Sequence, residues 1–218
     1  MLKTVNLFDL SHTMAGSWLG EFEYPWQALP GIGELIRTLS QTLGADYIAA
    51  GAEVWIHKTA VVAPSASITG PCIIGAGTEV RHCAFIRGNA LVGENCVVGN
   101  STELKNVILF DRVQVPHFNY VGDSILGYKS HMGGGAVTSN VKSDYTPVTV
   151  RTPEGRVETG MKKFGAMVGD YSEVGCNAVL NPGTVLGRNC TVYPTSCVRG
   201  AVEAQSIWKN DGTVVRKV

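Results

Sequence analysis

Aliphatic side chains recur at every sixth position from Ile56 onward: Ile56, Val62, Ile68, Ile74, Val80, Ile86, Val92, Val98 and Leu104. Four places after each of the first eight comes a small residue: Ala60, Ala66, Cys72, Thr78, Ala84, Ala90, Cys96 and Thr102. The register returns as Val168, Val174, Leu180, Leu186, Val192 and Val198, with Ser172, Ala178, Thr184, Cys190 and Ser196 in the small position. A period of six fits neither the 3.6 of a helix nor the 2 of a flat strand. It describes a three-sided coil of about 18 residues, with one aliphatic side chain pointing inward per face and a small residue beneath each corner. The spacing therefore predicts an all-β chain wound as a parallel β-helix of hexapeptide repeats.

Residues 1–52 stand outside the repeat and read as a capping segment. Within GIGELIRTLSQTLG, residues Ile32, Leu35, Ile36, Leu39 and Leu43 follow helical spacing, Pro30-Gly31 precedes them and Gly44 suits a C-cap. This helix is expected to cover the open end of the prism. Residues 53–200 form the β-helix domain, with one array over 54–104 and a second over 166–199. Between them the register slips once, because Leu104 is followed by Leu109, Val115 and Val121. Residues 139–163 leave the period. There TPVTVRTPEGRVETG alternates apolar and polar residues around Pro-Glu-Gly, which predicts a projecting β-hairpin. The tail 201–218 carries Asn210-Asp211-Gly212 between two short extended runs, a second hairpin signal.

The 218 residues carry 18 basic and 18 acidic side chains, so no general attraction to nucleic acid or membrane is expected. Apolar runs fall far short of the roughly 20 residues that span a bilayer. The N-terminus lacks the apolar stretch and small-residue cleavage site of a secretory signal, so a cytoplasmic location is expected. Of six cysteines, Cys72, Cys96 and Cys190 occupy the small repeat position, and no two are spaced as C-x2-C. Reduced, packed thiols are favoured over a disulfide or structural zinc site.

Candidate site residues crowd between 87 and 163: Arg87, Glu103, Lys105, His117, Tyr120, Asn140 and Lys163. Positions one coil apart stack, so Arg87 and Lys105 should be neighbours. Adjacent like charges are costly unless an anion lies between them. A solvated pair on an outward face is the alternative. An imidazole is a suitable general base at neutral pH, which makes His117, beside Phe118-Asn119-Tyr120, a candidate; an ordinary surface or packed histidine is the alternative.

The segment GNSTELKNVILFDRVQVPHFNYVGDSILGYKSHMGGGAVTSN resembles the acetyltransferase domain of the bifunctional bacterial enzyme that makes UDP-N-acetylglucosamine. The likeness rests on Gly99-Asn100, Glu103, Lys105, His117, Tyr120, Gly122-Asp123, Gly133, Gly135 and Asn140 at matching spacings, with Arg87 and Lys163-Phe164 outside that string. It spans roughly residues 54–199. It implies a left-handed coil, a homotrimer, and a cleft between adjoining protomers. It further implies an N-acetyltransferase that uses acetyl-CoA, with an amino sugar 1-phosphate as acceptor and no metal. His117 would then be the general base, oriented by Glu103. Arg87, Lys105 and Lys163 would hold the phosphate. Tyr120, Asn140 and His131 would meet the sugar, and Gly133, Gly134, Gly135 and Cys176 would lie by the cofactor thioester.

This chain departs from the family in several places. His131 stands for an asparagine, Gly134 for an alanine and Cys176 for a serine, and the loop after Asn140 is about 17 residues longer. The first 52 residues carry no glycine-rich nucleotide loop, so uridylyl transfer is not expected. Three other classes compete. A zinc carbonic anhydrase needs three converging imidazoles, and no close His-x4-His pair exists. A non-catalytic interaction module has no need of this residue set. Acyl transfer to another phosphorylated acceptor would use the same cations.

Overall fold

Three ladders of short parallel strands run from Val54 to Trp208, as a six-residue period requires. The computed structural model describes residues 1–217. The first face stacks Val54–His57, Cys72–Ile74, Ala90–Val92, residues 107–109, residues 124–126, Ala166–Val168, Thr184–Leu186 and Ala201–Val202. The second stacks Val61–Val62, Glu79–Val80, Val97–Asn100, Gln114–His117, His131–Met132, Glu173–Val174, Thr191–Val192 and Ser206–Trp208. The third stacks Ser67–Thr69, Phe85–Arg87, residues 103–105, residues 120–122, Val137–Thr138, Val179–Leu180 and Cys197–Val198. The fold is the all-β parallel solenoid that the hexapeptide period predicts.

Inside the prism the repeat positions behave as the period requires. Ile74, Val80, Ile86, Val92, Val98, Leu104, Val168, Val174, Leu180, Leu186, Val192 and Val198 are all buried. From Cys72 onward the small positions are buried too, and most of those that carry a hydroxyl use it to reach the next coil's backbone, whereas the Ser196 hydroxyl has no partner among the described residues. Thr78 Oγ1 donates to Gly93 O at 2.7 Å, Thr102 Oγ1 to Val115 O at 2.9 Å and Ser172 Oγ to Gly187 O at 3.0 Å. A buried hydroxyl left unpaired would be costly, so these bonds make serine and threonine acceptable there.

The predicted register slip has a local cause. Gly88-Asn89 carries the chain from the third face to the first between Phe85–Arg87 and Ala90–Val92. On the next coil Asn106 alone makes that turn, and on the one after Asp123 alone does. Both adopt left-handed backbone, with φ +55° and +46°. Asn and Asp tolerate that conformation better than other side chains. The solenoid therefore runs unbroken through 105–138, with each of these coils shortened by one residue.

Two expectations are corrected. The helix Ile32–Ser40 does not cover an end of the prism. It lies along the first face, packed on Cys72–Ile74, Ala90–Val92 and Glu103–Leu109. The rest of the N-terminal segment continues down the same side: Asn106 Nδ2 donates to Leu29 O, Asp111 N to His12 O, and Asp170 N to Leu7 O. Here Ile73, Leu91, Ile108, Ile125, Met167 and Val185 point away from the prism interior, yet all are buried. The solenoid edges are instead flanked by antiparallel strands, Tyr47–Gly51 beside Val54–His57 and Val214–Arg216 beside Ser206–Trp208.

The hairpin predicted around Pro153-Glu154 is present, pairing Thr149–Thr152 with Gly155–Glu158. It does not stand out from the body. Val148 and Val150 are buried, and the hairpin backbone seats against Gly183 and Gly200. A Cβ at those glycines would fall 2.8 Å from Thr149 O and 2.7 Å from Arg151 O, so only glycine permits the approach.

Candidate active site

The third face carries most of the predicted site residues on its outer side. Glu103 lies opposite both Phe85 and Tyr120, and Lys105 opposite Gly122, so Arg87 and Lys105 occupy consecutive rungs. Rungs are about 4.8 Å apart, close enough for strong repulsion between bare charges. A carboxylate meets each of them. Arg87 Nη1 donates to Glu103 Oε1 at 2.6 Å, and Lys105 Nζ donates to both oxygens of Asp123 at 2.9 and 3.1 Å. Each cation thus has its own carboxylate, so the stacking by itself does not require an anion between them.

Asp123 is the centre of the cluster and is only 3% exposed. Besides Lys105 it accepts from Asn106 Nδ2 at 2.9 Å and from Asn140 Nδ2 at 2.5 Å. Asn140 also donates to Tyr120 Oη at 3.2 Å. Burial, followed by the nearby carboxylates of Asp123 and Glu103, raises the Tyr120 phenol above its ordinary pKa, so it remains a neutral donor. The inserted loop leaves from this cluster and returns to it: Phe164 N donates to Asn140 O and Gly165 N to Asp123 O, each at 2.9 Å. That staple puts exposed Lys163 at the margin of the cluster. Sequence reasoning cited Asp123 only as part of a motif and assigned it no role. The signal was its place at a one-residue corner.

His117 ends a strand of the second face, opposite Asn100, at the corner leading into Tyr120. Its ring is exposed and has no hydrogen-bond or ion-pair partner among the described residues. Glu103, expected to orient it, is engaged by Arg87 instead, because Glu103 lies around the corner on the third face. What fixes this corner is Asn119, 2% exposed. Its side chain accepts from His117 N at 3.1 Å and donates to Gly133 O at 2.8 Å and Ala136 O at 3.0 Å. Asn119 was overlooked in the sequence because a buried asparagine leaves no periodic mark.

The glycines stack directly on this corner. Gly135 N donates to His117 O at 2.9 Å and Gly133 N to Val174 O at 2.7 Å. Gly134 alone of the three keeps a backbone N–H without such a partner among the described residues, and its Cα faces His117. Gly135 has φ +73°, and a Cβ there would fall 2.1 Å from Asn177 Oδ1. Cys176 follows on the next coil: a Cβ on Gly133 would lie 3.0 Å from its Sγ. Of the three glycines expected beside a thioester, Gly134 is the one whose backbone N–H is uncommitted among the described residues.

His131 is elsewhere. Its Nδ1 lies 2.7 Å from Glu173 Oε2 on the second face. It lines a cavity of ≈530 Å³ together with Arg112, Gln114 and Lys129. Within one chain it does not join the cluster on the third face. Among the described residues no three His, Cys, Asp or Glu side chains are grouped as a metal ion would require, and no helix is long and apolar enough to cross a membrane. All six cysteines are free, and burial pushes the thiols of Cys72 and Cys96 up to about 12.

Comparison with known proteins gives consistent matches. The family described as the GMPPB C-terminal domain matches residues 68–161. A "Bifunctional protein GlmU" of Methanococcus maripaludis is 31% identical over 208 residues, covering 94% of this chain and 50% of that protein. An "Uncharacterized acetyltransferase YaiX" of Escherichia coli is 31% identical over 190 residues, covering 78% of this chain and 80% of that protein. The chain thus spans between about a third and half the length of the GlmU relatives it matches. A solved hexapeptide transferase family protein from Anaplasma phagocytophilum aligns with TM-score 0.43 at 15% identity, covering 76% of this chain and 79% of that one.

Proposed function

The chain belongs to the hexapeptide-repeat acyltransferases, and on that footing we propose that it moves an acetyl group from acetyl-CoA to the amine of an amino sugar 1-phosphate. One observation carries the proposal: Arg87, Lys105, Tyr120 and Asn140 share an outer face, and His117 opens beside them at the adjoining corner. Cations and neutral donors on one side of an unencumbered imidazole suit a phosphorylated amine.

The residues divide the work by position. His117 takes the proton released as the amine nitrogen bonds to the acyl carbon, and the thiol leaves. Its exposed, unpartnered ring is free to turn toward a substrate. The Gly134 N–H beside it supplies a donor for the charge that develops on the carbonyl oxygen. Arg87 and Lys105 bind the phosphate while keeping their carboxylates, with Lys163 added from the margin. Tyr120 and Asn140 donate to the sugar. The thioester is already activated, so placement and one proton transfer meet the chemical need.

A homotrimer completes the cleft. Within one chain His131 lies on the second face, away from the cluster, and a neighbouring copy would supply a second wall carrying it. Light scattering should give three chain masses, and a monomer active at full rate would exclude this arrangement. The His131–Glu173 pair also favours a second reading, in which the acceptor is a phosphorylated compound other than glucosamine 1-phosphate. Free-thiol release from acetyl-CoA across glucosamine 1-phosphate, galactosamine 1-phosphate and the unphosphorylated sugars tests both. No thiol release with any phosphorylated amine ends the proposal.

A further inference from the structure

Where the inserted hairpin meets the last coils, four cations line one partly open cavity of ≈80 Å³: Lys142, Arg151, Arg156 and Arg199. Thr149 and Asn181 add polar walls, and no acidic side chain lines it. Arg151 and Arg156 are directly opposed across the hairpin. Like charges in that position destabilise a hairpin. Lys142 has Asp144 at 3.5 Å, whereas no ion pair reaches Arg151, Arg156 or Arg199 among the described residues. Glu158 shares this side of the hairpin and is exposed, and it pairs with none of them. This arrangement contrasts with the third-face cluster, where each stacked cation has its own carboxylate. The chain as a whole has zero net charge, so the concentration is local.

The cavity is built by the fold. Gly183 and Gly200 admit the hairpin backbone to the corner, which seats Arg151 against Gly200, the neighbour of Arg199. A water molecule takes about 30 Å³, so the space holds two or three waters or one tetrahedral oxyanion. We infer that this cavity is a binding site for a phosphate group, held by forked contacts from Arg151, Arg156 and Arg199 with Lys142 behind them. The inference does not depend on acetyl transfer: an enzyme inactive on every amine would still bind phosphate here.

The phosphate has two candidate sources, a free or acceptor-borne phosphate and the 3′-phosphate of coenzyme A. Calorimetric titration of the full chain with inorganic phosphate, coenzyme A and 3′-dephospho-coenzyme A separates them. Inorganic phosphate should bind the wild type, and the Arg151→Ala/Arg156→Ala variant should bind it at least about tenfold more weakly. Arg81→Ala, a cation of the second face, should leave the affinity unchanged. Arg151→Lys retains the charge, and partial binding by it guards against a folding artefact. If coenzyme A outbinds its dephospho form in the wild type and the gap closes in the double variant, the group is the coenzyme's. If the two coenzymes bind alike and phosphate still requires the arginines, the site serves another phosphorylated molecule. Equal phosphate binding by wild type and double variant overturns the inference.

Discussion

Removing the Asp123 carboxylate should unfasten the whole third-face cluster. Asp123 is nearly buried and accepts four contacts at 2.5–3.1 Å from Lys105, Asn106 and Asn140. Breaking a buried ion pair by deleting one partner costs about 3–5 kcal/mol, since the orphaned charge keeps its desolvation penalty. Three features move the value to the low end. Lys105 is 27% exposed and can rehydrate, Asn106 retains Leu29 O and Asn140 retains Tyr120 Oη. Asp123→Ala should therefore lose about 3 kcal/mol, and Ala also adopts the left-handed corner less readily. For a chain of this length that corresponds to a melting temperature about 6–12 °C lower. Asp123→Asn keeps the shape, the corner conformation and one acceptor, and should cost about half as much. Thermal unfolding followed by circular dichroism reads both. An alanine variant melting within about 2 °C of the wild type would show that Asp123 does not hold the cluster.

His117→Ala should lower kcat by about a hundredfold to ten-thousandfold, and leave the melting temperature unchanged because the ring is exposed and unpartnered; full turnover would remove the general-base role. Arg87→Ala or Lys105→Ala should raise KM for the phosphorylated acceptor and leave any slow reaction of the unphosphorylated amine alone; equal effects on both would exclude phosphate contact. Leu91→Ala, beneath the N-terminal helix and fully buried, should cost about 2–5 kcal/mol by chemical denaturation; a loss below about 0.5 kcal/mol would mean the helix is not anchored there. Burial raises the Asp170 carboxyl above its ordinary value. A raised folded-state pKa adds stability below the unfolded value and loses it as pH rises through the folded one. The wild type's margin over Asp170→Asn should therefore narrow as pH rises through and above the ordinary carboxyl range, and a widening margin would contradict the sign.

The prism was legible because its interior has one rule: a single aliphatic residue per face and a small residue per corner, enforced by close packing. The position of the N-terminal helix was not, although a second signal stood beside the first. Cys72-Ile73-Ile74, Ala90-Leu91-Val92 and Val107-Ile108-Leu109 are unbroken apolar triplets, unlike Glu79-Val80 or Ser67-Ile68-Thr69. A strand covered on both sides has no reason to alternate. Those triplets mark the first face as covered, and only an amphipathic segment outside the repeat was available to cover it. The seating of the hairpin was less accessible, since it turns on Gly183 and Gly200 lacking a side chain where a distant backbone arrives.

The candidate site shows what spacing alone leaves out. A period places Arg87 above Lys105, and both did stack, but the period is silent on what fills the gaps at the corners. Shortening two successive corners to one residue each brought Asn106 and Asp123 into contact and aimed the carboxylate at Lys105. The same left-handed corner geometry occurs at Phe118, which sets His117 on the second face with its Cβ beside Gly134 and Glu103 on the third. A slip in register, which reads as a fault in the repeat, is therefore where the structure departs from a uniform prism and gathers its polar groups. In a solenoid whose coils are otherwise interchangeable, chemistry needs such a departure. Restoring the lost residue, by inserting glycine after Asn106, should keep the coil and disperse the cluster. Far-UV circular dichroism would stay unchanged while thiol release falls to background. An insertion that leaves turnover intact would show that the shortened corner is incidental to the site.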